Sequence, residues 1–320
     1  MSGLFCCCLY PSRIVCVDDD HYLLKWITLY LNGQFVLLDF EKPLECARFV
    51  KEQQPWPTAW NLNGATLDVY VEHLHELMYD ARRTEEISTL VVDCYMPDLD
   101  GLSFCKMFKA TPYKKIMLTG ETDQAVAVGA FNAGIIQQFV MKGTPTVMED
   151  LRLQIALMQR QYFIEKSDFL SESLVQAYPD VFGHLADREC CKALGRMLQH
   201  YHIKEVYVFN SEGDYVMIDK NEQLWWLSIK GTRALQNMLQ DAESEFLQDP
   251  SAEAEAIFKT MCAKSKLPLF SLSKQKLDIA EWASILAPAK TLTTAADTYQ
   301  VLLARDLGRA NLRYADIQFV

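Results

Sequence analysis

Five residues of this chain could do chemistry together, and each stands where an apolar run ends. Asp18 and Asp19 follow RIVCV (13–17), Asp93 closes TLVVD (89–93), Thr119 lies in KIMLTG (115–120) and Lys142 in QQFVMKG (137–143). Three carboxylates with one hydroxyl and one ammonium form a hard, oxygen-rich set. Such a set suits Mg²⁺, which keeps several waters and takes one or two protein carboxylates plus phosphate. With carboxylate repulsion neutralised, an Asp93 oxygen could attack a phosphoryl group in line, and Lys142 and Thr119 could hold the transferred phosphoryl oxygens. Each residue alone is unremarkable, because strand-end Asp and Thr often serve only as helix caps. Five of them gathered at the ends of four strand candidates are not readily an accident.

The elements that must position them alternate. The strand candidates end RIVCVDDD (13–20), FVLLDF (35–40), TLVVD (89–93), KIMLTG (115–120) and QQFVMKG (137–143). Between them lie helical segments at 21–31, 43–52, 101–110 and 123–134. Apolar strands alternating with amphipathic helices predict a parallel sheet covered on both faces. In such sheets the reactive groups collect beyond the carboxyl ends of the strands.

The bulk numbers restrict what else the chain can be. Its 320 residues suggest two domains. The net charge of −11 is unevenly spread, with 12 Lys/Arg against 20 Asp/Glu in residues 1–150 and 19 against 22 in the rest. Neither half has the basic excess of a nucleic-acid binder. No apolar run is long enough for a membrane span, and no signal-peptide pattern opens the chain, so a cytoplasmic protein is expected. Ten cysteines without metal spacing read as reduced, buried thiols. Cys6-Cys7-Cys8 reads as a frayed or packed terminal segment, with lipidation or oxidative cross-linking as alternatives, and Cys190-Cys191 as helical core.

The motifs VDDD, VVDCYMPDLDG, MLTGE and FVMKG together resemble the receiver domain of two-component response regulators, over about residues 13–146. The resemblance implies a flavodoxin-like (βα)5 fold with Asp93 as phosphoacceptor. It implies Mg²⁺ held by Asp19 directly, Asp18 through water, Asp93, and the backbone carbonyl of Tyr95. It also implies a switch in which Thr119 moves toward the phosphoryl group and Phe139 reorients. That switch would bias the face made by the fourth helix (123–134), the fifth strand (137–143) and the fifth helix. Tyr95 and Glu121 are expected to shield the acyl phosphate and set its lifetime. Gly143 stands where the family usually has proline.

A further departure is an insertion of about 35 residues, 53–87. QPWPTAW opens it like a loop, and Leu67, Val71, Leu74 and Leu77/Met78 then make a helical stripe. His73, His75 and Glu76 lack the two-turn HExxH spacing and read as a solvated helix face.

Residues 1–12 read as an N-terminal extension, 147–167 as a connector helix and 168–320 as an output domain. The output pattern is helical to 203, then strand-like at 205–210, 215–219 and 224–230, helical at 232–265, and strand-like again at 282–290 and 298–307. An α+β domain on a mostly antiparallel sheet is expected. Of Trp225-Trp226, one ring should face the core and the other outward. No helix-turn-helix, Walker loop or cyclic-dinucleotide motif occurs. GDYVMIDKNEQLWWLSIK, LTGETDQAVAVGAFNAGIIQQFVMKG and the insertion resemble atypical response regulators of the Legionella quorum-sensing type. The expected function is therefore that of a phosphorelay response regulator without an enzymatic output. It would be phosphorylated by a sensor histidine kinase and switch by phosphorylation-dependent homodimerisation, in quorum-sensing signalling. A nucleic-acid-binding output, and an output enzyme acting on a nucleotide or small molecule, are the alternatives.

Overall fold

The structure is a computed structural model and describes residues 5–53, 84–210, 212–248, 250–268 and 286–305. The inserted stripe, with His73, His75 and Glu76, and the C-terminal NLRYADIQFV lie outside the described residues. The described chain divides into two units, residues 11–53 with 84–165 and residues 5–10 with 166–305.

The first unit is a five-stranded parallel sheet in the order β2-β1-β3-β4-β5, built from β1 Arg13–Val17, β2 Val36–Phe40, β3 Ile87–Asp93, β4 Lys114–Thr119 and β5 Gln138–Met141. Helices α1 His21–Leu31, α2 Pro43–Glu52, α3 Gly101–Met107 and α4 Gln124–Asn132 connect them. β3 starts at Ile87, two residues before the predicted strand, because Ile87 and Ser88 are as buried as the rest of it. Alternation explains the two covered faces. Ile14, Cys16, Val91, Ile116 and Leu118 point to one side, against Leu24, Ile27 and Leu31 of α1 and Leu151, Ile155 and Met158. Val15, Val17, Leu90, Val92 and Met117, of opposite parity, are equally buried on the other side. Each such aliphatic burial stabilises by about 1.5–3 kcal/mol before chain entropy is counted.

Helix α5 runs without a break from Val147 to Ala177, ten residues beyond the predicted connector. No Gly or Pro interrupts that stretch. Pro179 then fits the first turn of the next helix, where its missing N–H costs nothing.

The second unit carries a six-stranded sheet in the order β6-β7-β8-β11-β10-β9, antiparallel throughout. Its strands are β6 Ile203–Val208, β7 Asp214–Asp219, β8 Leu224–Lys230, β9 Lys266–Pro268, β10 Leu286–Thr293 and β11 Thr298–Arg305. The short edge strand β9 had no readable signal, since KLP is three residues with a proline. Four helices accompany the sheet: α6 Pro179–Ala186, α7 Arg188–His200, α8 Thr232–Gln248 and α9 Ala252–Cys262. The N-terminal segment belongs to this unit. Leu9 exchanges both backbone hydrogen bonds with Val206, at 2.9 and 2.7 Å, and Phe5 N–H donates to the Cys191 carbonyl. Cys6, Cys7 and Cys8 are all buried, with Cys7 Sγ 3.5 Å from Ser171 Oγ. Trp226 is core, while Trp225 is half-buried and donates to Asp219.

Candidate functional site

The parallel sheet reverses its winding between β1 and β3, and a crevice opens where adjacent strands diverge. Register places the reactive residues around it. Val17 pairs with Val92, so Asp18 and Asp93 come next on neighbouring strands. Thr119 pairs with Met141, and the Lys142 N–H donates to the Thr119 carbonyl at 2.9 Å.

The side chains converge accordingly. Carboxylate oxygens of Asp18, Asp19 and Asp93 lie within 4.8 Å of one another. Lys142 Nζ bridges two of them, 2.7 Å from Asp18 Oδ2 and 2.6 Å from Asp93 Oδ1. Asp18 and Asp93 are buried, and Asp19 is exposed at the rim. One ammonium faces three carboxylates, so the pocket is short of positive charge.

The ionisation of these groups reflects that imbalance. Burial lifts the Asp93 carboxyl to about 6; the Lys142 hydrogen bond opposes the rise and the Asp18 charge adds to it. Burial raises Asp18 also, against Lys142 and the Asp20 N–H, which donates to Asp18 Oδ1. Burial alone would lower Lys142, but its bonds to both carboxylates win and hold it above the ordinary lysine value. A hard divalent cation fits this donor set, because it would supply the missing positive charge to oxygen ligands.

The third carboxylate of VDDD has a different task. Asp20 caps α1, accepting from the Tyr22 and Leu23 N–H groups at 2.9 and 3.2 Å. The signal was in the sequence, since an Asp just before an apolar helical run is the usual N-cap.

The tail after Asp93 turns tightly beneath it. Gly101 N–H donates to the Cys94 carbonyl, and Asp100 caps α3 through Ser103 N–H. A Cβ on Gly101 would sit 1.9 Å from the Asp93 carbonyl oxygen, so only glycine fits. Asp98 takes up the turn's left-handed conformation, with φ 67°.

Thr119 is buried and its Oγ1 donates to the Gly120 carbonyl. Phe139 is half-buried on β5 and meets the exposed Phe131 of α4 edge-on, with centroids 6.4 Å apart. Tyr95 and Glu121 present exposed side chains from the segments that follow β3 and β4. Gly143 does not use a left-handed conformation, and open space surrounds its Cβ position. Nine of the ten cysteines are buried free thiols and only Cys262 is exposed. No described helix is long and apolar enough to cross a membrane.

No protein-family model matches the chain, and no curated protein matches it. Among solved structures, the Legionella pneumophila response regulator LqsR is similar over almost the whole length. It is 26% identical, covers 98% of this chain and 92% of its own, and has a TM-score of 0.76. An adenylate cyclase from Rhodopirellula baltica is 23% identical over 52% of this chain and 98% of its own, TM-score 0.38. A response regulator receiver domain protein from Clostridium thermocellum is 20% identical over 48% of this chain and 96% of its own, TM-score 0.34. The chain thus resembles a response regulator in both of its sheets, the flavodoxin-like parallel one and the antiparallel one.

Proposed function

We propose that the chain is the response regulator of a phosphorelay and that Asp93 is its phosphoacceptor. The observation that carries this reading is the Lys142 ammonium within 2.7 Å of both Asp93 and Asp18, with Asp19 beside them. In the transfer, an Asp93 oxygen forms the new bond to phosphorus. The bond from phosphorus to the donor's imidazole nitrogen breaks, leaving an acyl phosphate on Asp93 and a free histidine on the kinase. Asp19, Asp93 and the Tyr95 carbonyl would hold Mg²⁺, with Asp18 acting through water. Bound there, the ion supplies the positive charge that draws the phosphoryl oxygens into an acidic pocket. Lys142 lies where it can pair with a phosphoryl oxygen once one arrives.

The switch runs from Thr119 to Phe139 and on to the face of α4, β5 and α5. Val128 and Phe131 of α4 and Leu153 and Leu157 of α5 are exposed, which supports phosphorylation-dependent dimerisation there. We assign the partner as a sensor histidine kinase answering a small signalling molecule, in quorum-sensing signalling of a cytoplasmic protein. The output acts by binding rather than by catalysis. A small-molecule phosphodonor with Mg²⁺ should raise the mass read by light scattering at a fixed protein concentration. Excess chelator and Asp93→Asn should each abolish the shift. A dimer fraction indifferent to donor and chelator would count against the switch.

One observation favours nucleic acid as the output ligand in a second reading. Arg188, Lys192 and Arg196 are exposed at four-residue spacing along α7. The nearby carboxylates are engaged elsewhere, Asp187 with Thr294 and the helix N–H groups and Glu189 with Ala295 N–H. Binding to a DNA duplex that weakens steeply with salt would support it, and salt-indifferent or absent binding would remove it.

A further inference from the structure

Helix α1 buries Leu24, Ile27 and Leu31 and yet is apolar on its outer side too. Tyr22, Trp26, Leu29 and Tyr30 are 76, 65, 62 and 43% exposed. Large apolar side chains grouped on an exposed helix face mark an interaction surface, and here they stand with Lys25 and His21 as the charged and polar members of that face. We propose that this stripe is a self-association surface, on which a second copy lays its own α1 antiparallel.

The spacing favours a second copy. Tyr22, Trp26 and Tyr30 place aromatic rings four residues either side of a central tryptophan. A two-fold axis through Trp26 brings Trp26 onto its twin and Tyr22 onto Tyr30 of the second copy, the self-complementary pattern of an isologous dimer. Area reaches the lower bound for a specific contact. At these exposures the four side chains offer on the order of 500 Å² per copy, about 1,000 Å² for the pair, which is the size of a small, reversible interface.

Charge points the same way. A chain of net charge −11 repels its twin over most of its surface, but residues 21–31 contain no Asp or Glu. Of the carboxylates near the two ends of α1, Glu41 lies 2.6 Å from His21 and Glu149 pairs with Arg152 at 2.6 and 2.8 Å, while Asp20 is taken up in capping the helix and Asp19 belongs to the acidic pocket. Glu149 also accepts from the Tyr30 hydroxyl, which fixes that ring in place. Transient partners meet on surfaces no more apolar than the rest of a protein, whereas homodimer interfaces are richer in apolar and aromatic groups. The stripe does not use Phe131 or Phe139, so this contact is separate from the phosphorylation-dependent one.

Sedimentation velocity on the full chain carrying Asp93→Asn, over a series of concentrations, tests it without any phosphorylation. A concentration-dependent dimer is expected. Adding Trp26→Glu should raise the dissociation constant by at least ~100-fold, the effect of losing a central aromatic anchor. Tyr22→Arg is the second variant and should weaken the dimer in the same direction, while Val128→Glu on α4 leaves it unchanged. A chain that stays monomeric throughout overturns the proposal, and so does a dimer insensitive to both α1 substitutions. If Trp26→Glu leaves the mass unchanged but slows transfer from a kinase phosphohistidine, the stripe belongs to the phosphodonor and the proposal falls.

Discussion

Lys142 Nζ stands 2.6 Å from Asp93 Oδ1 while also touching Asp18, so one ammonium compensates two buried carboxylates. Lys142→Ala leaves both without their cation. Breaking a fully buried pair costs about 3–5 kcal/mol; with a quarter of the Lys142 side chain exposed, a loss of about 1–3 kcal/mol is expected. Urea unfolding measures it. Mg²⁺ should recover part of the loss, because it supplies positive charge to the same oxygens.

Gly101→Ala places a methyl group 1.9 Å from the Asp93 carbonyl, and backbone must move to admit it. Overpacking of this kind costs about 1–3 kcal/mol and sometimes more. Thermal unfolding should show the destabilisation. Phosphoryl uptake at Asp93 should fall with it, since the displaced atom belongs to the acceptor residue. An unchanged melting temperature would mean that the turn relaxes freely.

His184 gives the second unit a pH dependence. Its ring is fully buried against Tyr215 Oη at 2.7 Å, and burial pushes its pKa down to about 3. Between pH 6.5 and 3 the unfolded chain binds a proton there that the folded chain does not. Stability therefore falls as pH drops through that window, by up to ~1.4 kcal/mol per pH unit. Asp93 acts oppositely. Its folded pKa is raised to about 6, so the folded form binds the extra proton below that pH and gains stability. Denaturant unfolding at pH 7.5 and 5.5 of Asp93→Asn, with and without His184→Phe, isolates the histidine effect as the difference between the two, and the loss of stability at the lower pH should shrink when His184 is replaced.

How much of this was legible in the sequence depends on locality. The strand ends that carry Asp18, Asp93, Thr119 and Lys142 follow apolar runs, and α1 and α2 match their predicted limits, because buried parallel strands and capped amphipathic helices write themselves into short windows. Other features depend on distant partners. Nothing in FCCCLY announces that Leu9 pairs with Val206, and nothing in KLP announces an edge strand. The helical pattern through 147–203 is legible, but the predicted connector ends at 167 whereas a single helix continues to Ala177, because no residue between them marks a stop. The roles within VDDD separated only in three dimensions, where Asp20 turns to cap α1 and Asp18 turns inward to Lys142.

Tyr95 is exposed two residues after Asp93, where its ring can screen an acyl phosphate from water. Tyr95→Ala should shorten the half-life of phosphorylated Asp93 several-fold, and Glu121→Ala should alter it through loss of charge. Following loss of the phosphoryl group by mass spectrometry after donor removal measures both. An unchanged half-life in Tyr95→Ala would remove that residue from the account.

The central claim is that Asp93 is the nucleophile, and intact mass spectrometry tests it most directly. Incubation with a small-molecule phosphodonor or a kinase phosphohistidine in the presence of Mg²⁺ should add one phosphoryl group to the wild-type chain and none to Asp93→Asn. Addition to both proteins, or to neither under either donor, would contradict it.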